Sequence, residues 1–178
     1  MARRIVGRQA AGLPGPKRPR SIMRTPLGIA LHYSGSLGDV RASHTQCPRV
    51  LLSWYNWHTR PGGLGVPQGG ADIAYNWAIC PHGYRFVLRG RRYQSGANGN
   101  TTANQTYYAC CVMGGDRHGQ RDVTPQTKDA LLDLYEQIGT EIQSVRTARP
   151  HSYFASTPCP GDELRALLPT LQHILNKV

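Results

Sequence analysis

The stretch His151-Ser-Tyr-Phe-Ala-Ser-Thr-Pro-Cys159-Pro160-Gly161-Asp162 decides how this chain reads. A histidine and a cysteine with seven residues between them bring an imidazole and a thiolate into one short loop. A second imidazole stands far upstream, where His32 ends the apolar run Leu27-Gly28-Ile29-Ala30-Leu31. Two imidazoles and one thiolate suit a tetrahedral Zn²⁺ site. Three protein ligands leave one position for water, which distinguishes a catalytic zinc from a closed structural one. His32, His151 and Cys159 are therefore the expected metal ligands.

Outward from these residues, the chain alternates strand and helix signals. Leu27 to Tyr33 reads as a buried strand, which can hold His32 rigidly at a sheet end. Ser43 or Thr45 is placed to cap a helix that tolerates Pro48 in its first turn and repeats Val50, Leu51, Trp54 and His58 at helical spacing. Arg60 to Gly70 is a glycine-rich loop. Asp72 to Cys80 reads as a strand, Pro81-His82-Gly83 as a turn, and Tyr84 to Leu88 as the hairpin partner. Ser95 to Asn104 is a Gly/Asn-rich loop, and Tyr107 to Met113 a buried strand. Thr124-Pro125 opens a long helix with the apolar stripe Ala130, Leu131, Leu134, Ile138 and Ile142. A last helix begins near Asp162, with Leu164, Leu167, Leu168 and Leu171 facing inward. Strands interleaved with helices predict an α/β or α+β domain built on one central mixed sheet flanked by helices, the α/β class being favoured.

Charge is unevenly distributed. Of 21 Lys and Arg, seven (Arg3, Arg4, Arg8, Lys17, Arg18, Arg20, Arg24) lie in residues 1–24, which contain no acid. Most of the net charge of +11 belongs to that segment. The organisation expected is a basic, Pro/Gly-rich arm over 1–24 and a catalytic domain over 25–178. The arm reads as a solvated tail or as a contact for an anionic polymer, such as a cell-wall phosphate. It has no apolar h-region, so no secretory signal is read there, and no apolar run approaches a membrane span. Five cysteines, an odd number, are expected as reduced thiols rather than a disulfide framework. Cys110 and Cys111 read as core fillers. His44, His82, His118 and His173 read as structural or exposed, and Asp72 and Asp116 carry no general-base motif.

The ordered motifs resemble a family. "IALHYS", "DIAYNWAICPHG", "NQTYYACCVMGGD" and "HSYFASTPCPGDEL" occur in the order found in zinc-dependent N-acetylmuramoyl-L-alanine amidases of type 2, which include phage endolysins and the peptidoglycan recognition proteins. The resemblance runs from about Leu27 to the C-terminus. It implies cleavage of the amide between N-acetylmuramic acid and L-alanine in peptidoglycan. It further implies a monomeric endolysin made in a host cytoplasm and acting on the wall after release. Zinc would lower the pKa of its bound water and polarise the scissile carbonyl. By the same resemblance, Tyr75 matches a tyrosine that assists the oxyanion, and Thr157 occupies a position that is lysine in many phage members and threonine in recognition-protein amidases. "SGANGN" stands where the family has Gly-Ala-His, so Asn98 and Asn100 are candidate substrate contacts. Trp57 and His58 are candidate groove walls. Two rival readings are a non-catalytic peptidoglycan-binding module, opposed by the presence of Cys159, and a basic nucleic-acid-binding protein, for which no motif is present.

Overall fold

The computed structural model describes residues 4–35, 43–114 and 123–178. Asp116, His118 and Arg3 lie outside the described residues. Six strands form one sheet: β1 (Ile5–Val6), β2 (Gly28–Tyr33), β3 (Trp77–Ile79), β4 (Arg85–Val87), β5 (Tyr107–Val112) and β6 (Thr147–Pro150). Their order across the sheet is β1-β4-β3-β5-β2-β6. β3, β5, β2 and β6 run parallel, and β4 pairs antiparallel with β3, so the expected mixed sheet is present. The helices are α1 (Cys47–Thr59), α2 (Thr101–Thr106), α3 (Pro125–Glu141), α4 (Asp162–Arg165) and α5 (Leu168–Lys177).

Strand alternation sorts side chains onto two unlike faces. Ile29 and Leu31 of β2, Tyr108, Cys110 and Val112 of β5, and Trp77 and Ile79 of β3 fill one face. They pack with Leu131, Leu134, Tyr135 and Ile138 of α3 and Leu171 and Leu175 of α5. Truncating one of these leucines to alanine should cost about 2–5 kcal/mol. The opposite face carries small residues at matching registers, Ala30 beside Ala109, and His32 beside Cys111 and Ala78. Its apolar packing, through Ala78, Cys80 and Phe86, is against Cys47, Leu51 and Tyr55 of α1. The small side chains leave the room that His32 occupies.

Local chemistry explains the termini. Ser43 caps a 3-10 turn, His44–Gln46, that leads into α1, with Pro48 in the first turn. The Thr124 hydroxyl accepts the Thr127 N–H at 3.1 Å and Pro125 follows, as expected of a helix start. Three elements differ from expectation, of which the first is the last helix, read as one from near Asp162 but broken into α4 and α5 at Ala166 and Leu167. The strand expected over 72–80 pairs only at Trp77–Ile79. Before it, Asn76 continues the ladder with its side chain, accepting Ala109 N–H at 2.9 Å and donating to the carbonyls of Gly90 and Tyr93. The Gly/Asn loop contains α2, capped by Asn100.

The segment read as a separate basic arm is part of the fold from residue 4 onward. β1 pairs with β4, and Ala11, Leu13 and Met23 are buried. Arg4, Arg18 and Arg24 are exposed, but Arg8 and Arg20 are drawn into the fold. Arg8 and Arg20 converge on the fully buried Asp72, with Arg8 Nη2 at 2.6 Å from Oδ1 and Arg20 Nη1 at 3.0 Å from Oδ2. Arg4 donates to His82 O and Arg18 to the carbonyls of Gln68 and Gly69. Charge counting along the sequence could not reveal a single buried aspartate 64 residues from Arg8 and 52 from Arg20. Among the described residues no helix is long and apolar enough to cross a membrane.

Candidate metal centre

The carboxyl ends of the parallel strands are where ligands sit in open α/β sheets. His32 is the fifth residue of β2, 2% exposed. Leu31 stands opposite Pro150 of β6, so His151, the next residue after β6, emerges beside it. The two imidazole rings lie 4.3 Å apart. His151 starts a 3-10 turn, and the chain returns so that Cys159 meets both. Ser152 N–H donates to Cys159 O at 3.0 Å, while Arg165 ties Ser152 Oγ and Pro158 O together. One ligand atom from each of His32, His151 and Cys159 lies within 4.8 Å of the others. Cys159 Sγ is 3.9 Å from His32 Nδ1 and also accepts the Tyr33 N–H at 3.4 Å.

The donor set fits a zinc ion. His151 Nε2 is buried with no hydrogen-bond partner, a position that costs free energy unless something fills it. His32 presents a defined nitrogen for a physical reason. Asn98 Nδ2 faces three acceptors, Ser95 Oγ at 2.8 Å, Ala103 O at 3.1 Å and Tyr107 O at 2.8 Å. Its Oδ1 must then be the atom 2.9 Å from His32 Nε2, and that nitrogen must carry the proton. The lone pair of His32 is left on Nδ1, facing Cys159. An outer hydrogen bond that fixes a histidine tautomer is the usual support of a metal ligand.

Electrostatics agree. Burial, and then the neighbouring His151, pull the His32 pKa down from 6.5 to about 3. Burial also lowers His151. Both imidazoles are neutral and ready to ligate at pH 7. Burial pushes the Cys159 thiol up to about 12, so a metal must displace its proton.

Tyr75 lies beside this cluster, its ring 5.5 Å from that of His32 and wedged between Trp54 and His58 of α1 at 5.6 and 5.5 Å. Burial holds its phenol well above the usual range, and its hydroxyl bonds the Cys111 thiol. Thr157 Oγ1 accepts the Cys159 N–H at 3.2 Å and so shapes the cysteine loop. Trp57 is half exposed.

Three expected substrate contacts have other uses. Asn98 is fully buried and orients His32, so it cannot also grip a ligand. His58 is buried, and its Nδ1 accepts the Ala74 N–H at 3.1 Å, which props the lead into β3. Asn100 caps α2 and donates to Phe154 O at 3.3 Å, latching the loop onto the His151 segment. The approach there is close. Gly99 has φ +85°, and a Cβ on it would stand 2.8 Å from the Ala155 Cβ. Asn104 Oδ1 in turn accepts the Ser95 hydroxyl and the Asn98 N–H, both at 2.9 Å, and this support of His32 by Ser95, Asn98 and Asn104 was not legible in sequence. Three neutral amide and hydroxyl residues in a glycine-rich stretch look like any turn.

No protein-family model and no curated protein matches the sequence. Solved structures do. Drosophila PGRP-LB shares 21% identity over 97% of this chain and 96% of its own, with a TM-score of 0.78. The Drosophila peptidoglycan recognition protein SD follows the fold at 20% identity, covering 96% and 94%, TM-score 0.75. The peptidoglycan recognition protein LE, in complex with tracheal cytotoxin, a monomeric diaminopimelic acid-type peptidoglycan, matches at 17% identity over 96% and 93%, TM-score 0.76. The chain has the peptidoglycan recognition protein fold, which is the type 2 amidase fold.

Proposed function

We propose that the protein is a zinc-dependent N-acetylmuramoyl-L-alanine amidase, of the endolysin type that its motifs resemble. The observation that carries this reading is the convergence of His32, His151 and Cys159, with an unpartnered imidazole nitrogen, at the carboxyl end of the sheet. Zn²⁺ held there supplies an acidified water as nucleophile and a Lewis acid for the amide carbonyl.

The chain's own residues supply the rest. Asn98 holds His32 in the tautomer that offers Nδ1. Tyr75 keeps its proton across the neutral range, so it is always a donor. A thiol is a weak acceptor, so a substrate oxyanion readily replaces Cys111 as the partner of that hydroxyl. Donation strengthens as charge develops, which favours the transition state over the ground state. Thr157 brings a hydroxyl but no positive charge, so its part is to hold Cys159 and to donate at most one neutral hydrogen bond. Half-exposed Trp57 offers a flat apolar wall for a sugar or stem peptide.

Digestion of purified peptidoglycan tests the proposal. New L-alanine amino termini with intact glycan strands are expected. New reducing ends without new amino termini would refute it. Binding of muramyl peptide without cleavage by the zinc-loaded protein would establish the non-catalytic reading.

A further inference from the structure

The structure assigns a second metal site, a closed Cys2His2 zinc centre formed by His44, Cys47, Cys80 and His82. It shares no residue with the first cluster, and one ligand atom from each of the four lies within 4.8 Å of the others. Cys80 Sγ is 3.6 Å from His44 Nδ1 and 3.8 Å from His82 Nδ1, and Cys47 Sγ is 3.9 Å from His82 Nδ1. Zn–S bonds near 2.3 Å and Zn–N bonds near 2.05 Å at tetrahedral angles put sulfur and nitrogen about 3.6 Å apart. The observed spacing is thus close to that of a zinc-loaded site, and two sulfurs with two imidazoles are a donor set suited to tetrahedral Zn²⁺.

The fold assembles the four ligands from two short motifs, His44-x2-Cys47 and Cys80-x-His82. His44 lies in the 3-10 turn before α1 and Cys47 is the first residue of α1. Cys80 immediately follows β3 and His82 sits in the β3–β4 turn, which is closed by Gly83 N–H to Cys80 O at 2.9 Å. The thiols are buried among Leu51, Phe86 and Met113. The His44 ring is stacked on Tyr84 at 3.5 Å, which fixes its plane, and Arg4 covers the turn by donating to His82 O. Nδ1 of both imidazoles faces the sulfurs.

Four protein ligands leave no open position, so the site is structural rather than catalytic. It fastens the N-terminus of α1 to the β3–β4 turn. The far end of the same helix carries Trp54 and His58, which flank Tyr75. A disulfide between Cys47 and Cys80 is the competing use of these thiols. All five cysteines are free, and a disulfide would leave two imidazoles aimed at sulfur without purpose.

The test is metal stoichiometry on the full chain, purified with reductant and zinc and then desalted. Two zinc ions per chain are expected by native mass spectrometry, and one in the His32→Ala/Cys159→Ser double variant. X-ray absorption on that variant should give two sulfur and two nitrogen neighbours at the remaining zinc. Cys80→Ser should lose one zinc and melt lower. If it fails to fold, the absorption measurement on the double variant decides alone, and His82→Cys, which keeps four ligands, should retain both ions. One zinc in the parent that disappears with His32 and Cys159 would overturn the proposal. A Cys47–Cys80 disulfide in the zinc-supplemented protein would overturn it too. Neither result bears on the amidase reading, whose ligands are separate.

Discussion

Replacing Asn98 with alanine should weaken the proposed catalytic zinc and the fold by separable amounts. The truncation removes the acceptor that fixes the His32 tautomer. Loss of such an outer partner costs about 10–100-fold in metal affinity. It also strips Tyr107 O and His32 Nε2–H of a buried partner, while Ala103 O keeps the Tyr107 N–H. Each orphaned group costs about 1–3 kcal/mol. Relaxation and water entry should leave a net destabilisation of about 2–5 kcal/mol, a large part of a typical domain's stability. Asn98→Asp separates the two effects. Its carboxylate still accepts from His32, so zinc affinity should stay within a few-fold of the parent. Its second oxygen, however, would face two carbonyls and should destabilise the fold. The assay is lytic activity against a series of zinc-buffered solutions, compared at each zinc level with the parent, alongside thermal melts. An alanine variant with parental half-saturating zinc would show that Asn98 does not orient His32.

Four further outcomes follow from the geometry. Tyr75→Phe should lower turnover on a soluble muramyl peptide by about 10²-fold, the scale of one oxyanion donor, with zinc content unchanged; parental turnover would remove Tyr75 from the mechanism. Zinc affinity of the His32–His151–Cys159 site, measured by competition in a Cys80→Ser background, should rise about tenfold per pH unit between pH 6 and 8. The reason is that only the Cys159 proton, held up to about 12, must leave while His32 is already neutral; a flat profile would exclude the thiolate ligand. Metal-free protein should lose stability as pH falls from 6.5 towards 3, because unfolded His32 takes up a proton that the folded form refuses; an acid melt in which His32→Gln shows the same pH slope as the parent would count against this. Asp72→Ala should cost about 3–5 kcal/mol by leaving Arg8 and Arg20 uncompensated, and a loss under about 1 kcal/mol in a denaturant titration would mean that residues 4–24 are not integral.

The parallel core was legible because its signals are local. β2, β5 and α3 announce themselves through apolar runs, a Thr-Pro start and a stripe at helical spacing, all within a few residues. β1 and β6 were not legible, since two residues and Thr-Ala-Arg-Pro carry no alternation, and both become strands only by adding to edges already formed. The N-terminal segment misled for a related reason. Its apolar residues, Ala11, Leu13 and Met23, are too sparse to show a period, while its arginines look like a charge block until Asp72 is placed among them.

The two metal clusters differ in legibility for a reason rooted in topology. His151 and Cys159 share one loop, so their spacing is visible in sequence, and His32 is marked by the strand it ends. His44-x2-Cys47 and Cys80-x-His82 are each too short to stand out, and the proline-containing turn Cys80-Pro81-His82 reads as a plain reversal. Only the sheet order brings them together. β3 lies one strand beyond β5, and its carboxyl end opens on the same side as that of β2, where α1 crosses. Every long connection that returns to this edge delivers its first residues to one rim. The rim collects ligands from three strand ends, one helix start and the loop that carries Cys159, and the small residues at Ala30, Ala78 and Ala109 keep the face beneath it open. A sheet with large residues at those three registers would have closed the space around His32, whatever the motifs in its loops.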